Sequence, residues 1–295
     1  MMEKKNTLRS GGHYRLRRLL VRLAWTLVIG AFALTMIVPF LWMVSASLKR
    51  PLDVMKLPID WIPDYWYPKN YLKVWNIGNA APRDYHFALA YFNSLKIAFI
   101  NLTGSVLTST LAGYAFAKIK FRGNTAIFFL YLATMMIPSQ VTLIPKFILF
   151  NEIGISGTHL TLILPGLFTV TGTFLMRQYF TQVPDELRES GYVDGASEWR
   201  IWAQIMVPIA GPGMASLAMV VFLWNWNNYL DPLVFLTNWR LYTIPIALTN
   251  FIEESVTEYN LVMAASASAL LPVFAVFLVG QKFFVKGLMA GAVKG

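Results

Sequence analysis

Six stretches of this chain contain no Asp, Glu, Lys or Arg: Leu23–Leu48, Ile97–Ala117, Thr125–Pro145, Ile153–Met176, Ile201–Leu230 and Tyr259–Gln281. A helix needs roughly 20 apolar residues to cross a hydrocarbon core about 30 Å thick, and each stretch is long enough. Within lipid the backbone must satisfy its own N–H and C=O groups, which makes these stretches helices. The chain of 295 residues is therefore expected to be an all-α integral membrane protein with six transmembrane helices, at about 23–47, 95–117, 125–145, 158–178, 210–236 and 259–281. Pro138, Pro145 and Pro165 lie at or inside the edges of the third and fourth spans; tilt and neighbouring helices absorb such prolines in a membrane bundle. The composition is 56% hydrophobic with 14% charged residues and a mean hydropathy of +0.51. An ordinary soluble domain carries roughly 25% charged residues, which excludes a cytosolic enzyme and a disordered chain alike.

A net charge of +10 would point to nucleic acid in a soluble chain, but here its distribution sets orientation instead. With the N-terminus in the cytoplasm, the inside segments hold 16 basic and 6 acidic residues, and the outside segments 9 of each. That bias is what the positive-inside rule requires, so both termini are expected to be cytoplasmic. The chain then divides into a basic segment at 1–22, a transmembrane domain at 23–285 and a cytoplasmic tail at 286–295. Val44-Ser45-Ala46 loosely resembles a signal-peptide cleavage site. The apolar stretch before it is longer than a signal h-region, and five more spans follow, so it reads as an uncleaved anchor.

Several chemistries are missing. The chain has no cysteine, hence no disulfide, thiolate nucleophile or Cys-ligated metal. His13, His86 and His159 are too far apart for metal-ligand spacing, and no metal or cofactor is expected on this chain. There is no GxxxxGK[ST], HExxH, GxSxG or GxGxxG pattern. Ionisable residues inside spans would mark an ion relay. Asp231, before Pro232, is the one candidate, and it reads rather as a helix-end carboxylate.

The longest outside loop, Lys49–Lys96, is rich in Trp, Tyr and Pro (Trp61, Pro63, Trp66, Tyr67 and Trp75 among them). It reads either as an interfacial aromatic belt or as a docking surface for an external partner. A second outside loop covers Thr237–Glu258. In the second span Gly104, Thr108 and Ala112 recur every four residues, as do Ser105, Ser109 and Gly113. Small residues at this spacing let helix backbones approach closely, within a bundle or across a subunit interface. The run Ala264–Ala269 in the last span is similar.

The inside segment 181–209 carries the most specific pattern. Pro184 with Asp185 and Glu186 suits the first turn of a helix. Asp194-Gly195 reads as a turn. Trp199, Trp202, Ile205, Met206 and Ile209 follow at helical spacing as one apolar stripe, with Arg200 and Gln204 opposite. Two short helices joined by a tight bend are expected, resting against the membrane side.

These residues resemble the cytoplasmic loop of binding-protein-dependent ABC importer permeases, whose pattern is E-A-A, three residues, G, about nine residues, then I-x-L-P. Glu189-Ser190-Gly191, Asp194-Gly195-Ala196 and Ile205-Met206-Val207-Pro208 stand at those positions, with Ser190-Gly191 in place of two alanines. A glycine there weakens a helix by roughly 1 kcal/mol relative to alanine. Asn70-Tyr71, Phe92-Asn93-Ser94, Gly113-Tyr114-Ala115-Phe116-Ala117, Ile137-Pro138, Trp224-Asn225-Trp226-Asn227 and the ending Gly287–Gly295 are similar to the carbohydrate-uptake branch, in particular to the six-span subunit of the maltose-type permease pair.

The resemblance implies the type I ABC importer permease fold. It also implies a heterodimer with a second permease, two cytoplasmic ATPase subunits that use ATP and Mg, and an extracytoplasmic sugar-binding protein. This chain would be a non-catalytic subunit in the cell membrane, carrying a sugar and binding no nucleic acid. Glu189, Asp194, Gly195, Ala196, Trp199, Trp202, Ile205 and Pro208 would couple it to the ATPase. Glu189 would hold the bend or a partner by charge-assisted hydrogen bonds. Trp224, Asn225, Trp226, Asn227, Asn228 and Tyr229 are candidates for the substrate path, since sugars offer apolar ring faces to aromatics and hydroxyls to amides. The alternative is interface aromatics and helix–helix hydrogen bonds. Lys286, Gly287, Gly291 and Lys294 are candidates for a C-terminal contact with the ATPase, or part of a free terminus. An ion-coupled secondary carrier of a small polar solute is the alternative function, with an interaction or structural membrane protein third.

Overall fold

The computed structural model describes residues 6–79, 86–254 and 258–292. Among them every regular element is helical. Helix α1 (Asn6–Ser47) starts within the basic N-terminal segment and continues through the first expected span without interruption. Its apolar residues face outward: Leu23, Leu27, Phe32 and Leu34 are each 61–66% exposed. Such a surface calls for an apolar neighbour, lipid or another protein, rather than water.

Residues 1–71 and 257–267 form one compact unit, and 72–256 with 268–295 another. In the first unit, the carbonyls at the end of α1 have no partner within the helix. Asn70, fully buried, supplies one: its Nδ2 donates to the Ser47 and Lys49 carbonyls, both at 2.8 Å. Its Oδ1 accepts from Asn260 Nδ2 at 2.8 Å. Burial pushes the Lys49 ammonium below its ordinary range against the pull of Asp60 and Asp53. It donates to the Asp60 carbonyl and lies 4.3 Å over the Trp42 ring.

The second unit is built around α2 (Phe87–Lys118), an unbroken helix of 32 residues. Helix α3 (Asn124–Ala133) ends in a single 3-10 turn, Thr134–Met136. Ile137 precedes Pro138 and is therefore extended (φ −82°, ψ 115°), which stops the helix. A separate helix, α4 (Leu143–Glu152), follows with Pro145 in its first turn, where the missing N–H costs nothing. The stretch expected as one span at 125–145 thus consists of a shorter apolar helix, a turn and the start of the next helix. Helices α5 (Leu160–Gly166) and α6 (Val170–Thr181) then run along α2.

The small residues of the second span serve this internal packing. Thr108 Oγ1 donates to the Leu167 carbonyl at 2.6 Å. A methyl group on Gly113 would meet the Met176 Cβ at 2.7 Å and the Arg177 backbone nitrogen at 2.8 Å. One on Gly172 would collide with Ser109 Oγ.

The chain continues through α7 (Glu186–Val193) and α8 (Glu198–Ile201), a π-helical turn at Trp202–Met206, a short turn Val207–Ile209, and α9 (Gly211–Trp226). Between Glu198–Ile209 and Gly211–Trp226 the axis bends by 78°. Pro212 cannot donate to the Pro208 carbonyl, and its ring crowds that carbonyl, so the ladder breaks there. A short helix Leu230–Phe235, α10 (Ile244–Glu254) and α11 (Tyr259–Ala292) complete the chain. Among the described residues, four helices are long and apolar enough to cross a membrane: Arg17–Ser47, Phe87–Lys118, Leu160–Thr181 and Tyr259–Lys282. The bent pair ending in α9 is a fifth if counted as one span.

Candidate functional site

The segment 181–209 folds as two short helices around Gly195. At its start Asp185 does not cap α7 with its own carboxylate; Oδ1 accepts from Lys118 Nζ at 2.5 Å instead. Lys118 Nζ also donates to the Val183 carbonyl at 2.5 Å, so a nearly buried ammonium at the end of α2 fixes the first residues of the loop. The Lys118 hydrogen bond, then its charge, holds the Asp185 carboxyl below the ordinary carboxylate range.

At the far end of α7, Gly195 adopts φ +76°, a left-handed conformation that costs L-residues with a Cβ roughly 1–2 kcal/mol. Its N–H donates to the Tyr192 carbonyl and that of Ala196 to the Gly191 carbonyl, both at 2.9 Å. The last carbonyls of α7 are closed in the manner of a Schellman motif. Ser197 then caps α8, its side chain accepting from the Arg200 N–H.

Glu198 ties the two helices together. Its Oε1 accepts from Arg188 and from the Tyr192 hydroxyl, and its Oε2 from the Tyr114 hydroxyl of α2 at 2.5 Å. This carboxylate holds the bend, one of the two roles expected of Glu189; the Glu189 side chain is exposed. The sequence reading missed Glu198; the opposite charges at 188 and 198, on either side of the Asp194-Gly195 turn, are the signal that could have found it.

The packing around Gly191 accounts for one of the two departures from alanine. Gly191 is buried, and a Cβ there would lie 2.9 Å from Ile201 Cγ1 and 3.2 Å from Ile205 Cδ1. Gly191→Ala gains about 1 kcal/mol of helix propensity, but the overpacking costs about 1–3 kcal/mol. A modest net destabilisation is expected, read as a lower Tm of the detergent-solubilised protein. A raised Tm would mean that Ile201 yields.

The apolar stripe after the bend is rotated relative to its expected position. Ile201, Met206 and Ala210 are fully buried against Tyr114, Met176 and Phe180, whereas Trp199 is 69% exposed. The cause is the π turn at Trp202–Met206, which inserts one residue into the helical period. Trp202 and Ile205 are half-buried at the edge of that core, Ala196 packs against it, and Pro208 is exposed. The outward surface presents Leu187, Tyr192, Val193 (88% exposed) and Trp199, together with Glu189 and Asp194.

The residues considered for a substrate path divide into two groups. Asn225 and Trp226 face the protein: Asn225 Oδ1 accepts from the buried Asn101 Nδ2 at 2.5 Å, and Trp226 Nε1 donates to the Ala269 carbonyl at 3.1 Å. Trp226 also stacks on Phe222 at 5.6 Å. Trp224, Asn227 and Tyr229 are exposed, and Asn228 Nδ2 donates to Asp231 at 2.9 Å. Asp231 also faces Lys146 at 3.7 Å near the start of the short helix Leu230–Phe235. His159 hydrogen-bonds the Leu241 carbonyl, and His86 stacks on Trp239. Among the described residues, no group of His, Asp and Glu side chains could hold a metal ion. Lys286, Gly287 and Gly291 continue the backbone of α11, and Lys294 lies outside the described residues.

Residues 105–289, which include the bend and α2 from its middle onward, match the family described as binding-protein-dependent transport system inner membrane component. The arabinooligosaccharides transport system permease AraQ of Halalkalibacterium halodurans is 31% identical over 277 residues, covering 92% of this chain and 97% of that one. The lactose transport system permease LacG of Rhizobium radiobacter is 31% identical, with 95% and 98% covered. The sn-glycerol-3-phosphate transport system permease UgpE of Yersinia enterocolitica is 33% identical, with 83% and 88% covered. A chain of a bacterial ABC transporter involved in alginate import has the same fold, with a TM-score of 0.78 over 90% of this chain and 96% of that chain at 21% identity. Membership also decides against the ion-coupled carrier: the chain belongs to the binding-protein-dependent transport system inner membrane components, the multi-pass permease subunits of ABC importers.

Proposed function

We propose that this chain forms half of the translocation pathway of an ATP-driven sugar importer and that 181–209 is its contact with the ATPase. The observation that carries the reading is the pair of helices closed at Gly195. One side is anchored in the core of α2 and α6, and the other presents Val193 and Trp199 to a partner. A subunit with no nucleotide-binding pattern can be driven only through contacts that differ between two states of a partner. An apolar-anchored helix seated in a groove is a common way to make them.

In this reading six spans cross the membrane with both termini cytoplasmic, as the charge bias supports. A second permease completes the pathway, two ATPase subunits bind and hydrolyse ATP with Mg, and an external binding protein delivers the sugar. This chain itself is non-catalytic. Relatives named for arabinooligosaccharides and lactose support a sugar. Trp224, Asn227 and Tyr229, being exposed, remain the candidates for the substrate path, and the C-terminal tail is a second contact with the ATPase.

The absence of cysteine permits a direct test. A Val193→Cys chain should resist a membrane-impermeant maleimide in intact cells and react with it in inverted vesicles. Labelling there should fall severalfold when the ATPase subunits are bound. Labelling from outside the cell would overturn the topology, and equal labelling with and without the ATPase would overturn the contact.

A further inference from the structure

Helix α2 carries polar attachments at both ends, and the family assignment leaves them without a role. At one end Tyr114 and Lys118, four residues apart and hence on one face, reach the loop. The Tyr114 hydroxyl donates to Glu198, and Lys118 donates to Val183 and Asp185. Tyr114 is 3% exposed, its ring edge-on to Phe180 at 5.8 Å. The same Glu198 carboxylate accepts from Arg188 and Tyr192, so one group joins α2, α7 and α8. Hydrogen bonds to a charged acceptor at a partly buried site are directional and costly to break.

At the other end Asn93 Nδ2 donates to the carbonyls of Arg240 (2.9 Å) and Tyr242 (3.1 Å), and Ser94 Oγ accepts from the Ile244 N–H at 2.8 Å. Asn93 and Ser94 are buried. Between Asn93 and Tyr114 the helix has no proline or break, and at 1.5 Å per residue it spans about 30 Å.

We infer that Glu198 is a positioning residue that latches the loop to α2, and that α2 acts as a strut carrying displacement of the loop to the segment 238–244. The inference rests on the reading that the loop meets the ATPase. An unbroken helix fastened by buried polar groups at each end cannot move at one end alone, and rigid elements of this kind carry coupling between distant sites.

The test uses the assembled transporter in proteoliposomes, with an environment-sensitive fluorophore on Thr237→Cys, an exposed position beside the far attachment. A second preparation carries the fluorophore on Val193→Cys in the loop. A non-hydrolysable ATP analogue with Mg should change both signals. In Tyr114→Phe, which keeps the ring and removes the hydroxyl, the Thr237 response should fall about tenfold, the scale set by losing one partner of a buried charged hydrogen bond. The Val193 response should persist.

Glu198→Gln, which also weakens the bonds from Arg188 and Tyr192, should lower the Thr237 response at least as far, and the double variant should be no worse than Glu198→Gln alone, because the Tyr114 bond is already lost there. Tyr192→Phe, at a half-exposed site where folding tolerates the change, should lower the Thr237 response by a smaller factor. An undiminished Thr237 response in Tyr114→Phe, with Val193 still responding, would overturn the latch and leave the ATPase contact standing. A Val193 probe that is silent in the parent transporter would overturn both.

Discussion

Gly113→Leu is expected to leave almost no folded chain in the membrane. The α-carbon of Gly113 faces the backbone of α6, where a Cβ would meet Met176 Cβ at 2.7 Å and the Arg177 nitrogen at 2.8 Å. Neither is the far end of a flexible side chain, so the two helices must separate. Gly113→Ala should cost about 1–3 kcal/mol. The leucine adds three carbons to a joint that also depends on Thr108 and Gly172, and it should exceed that range. Immunoblotting of the membrane fraction and the Tm of the solubilised protein read the outcome. The control is Gly30→Leu in α1, where nothing lies within 4 Å and the chain is apolar and outward-facing; its level should be unchanged. Equal levels of Gly113→Leu and wild type would show that α2 and α6 do not pack as described.

Gly195→Val should impair transport severely by a different route, leaving the chain in the membrane. No atom lies within 4 Å of a Cβ at this position, so space is not the obstacle within the chain. The obstacle is φ +76°, which a β-branched residue adopts at a cost of about 1–3 kcal/mol. The loop would relax by turning α8 against α7, straining the Glu198 bonds and displacing Val193 and Trp199. Sugar uptake in proteoliposomes should fall at least about tenfold, as a loss of about 1.4 kcal/mol or more would give. Gly195→Asn separates two explanations, because asparagine tolerates the left-handed region. If it retains most of the uptake, the backbone angle matters. If it fails as valine does, the partner needs the bare α-carbon.

The long charge-free stretches gave away the helical membrane fold because hydrocarbon leaves the backbone no alternative. The Asp194-Gly195 bend was equally legible, since a turn of this hand calls for glycine. Other features depended on tertiary contacts that no local pattern encodes. Pro138 lay inside an apolar stretch, and only the extended backbone of Ile137 shows that it ends one helix rather than kinking a longer one. Glu189 and Glu198 are both acids in the same loop. Which of them bridges was set by where α2 brings Tyr114. Asn225 read in the sequence either as a sugar ligand or as a helix–helix hydrogen bond, and its side-chain oxygen accepts from Asn101, 124 positions away, a contact that no local pattern encodes. The small residues of α2 were recognisable as a packing stripe, yet whether they met their own chain or another depended on the path of α5 and α6.

The π turn at Trp202–Met206 makes the spacing of this loop a matter of angle as well as length. A regular helix advances by about 100° per residue, and a π turn holds one residue more than its α counterpart. Deleting any one residue from that turn would let the segment close up as an ordinary α-helix. The rotation across the turn would then be unchanged, so the anchor at Met206 and Ala210 and the outward aim of Trp199 would both survive; it is straightening the turn with all its residues kept that would swing Trp199 through roughly a quarter of a circle. The outward surface would still exist with the same composition, aimed at the wrong place. The interval between Gly195 and Pro208 is therefore a protractor as much as a ruler: an insertion or deletion that the π turn does not absorb re-aims the loop, whereas one in an open connection such as the turn after Pro138 only changes its reach.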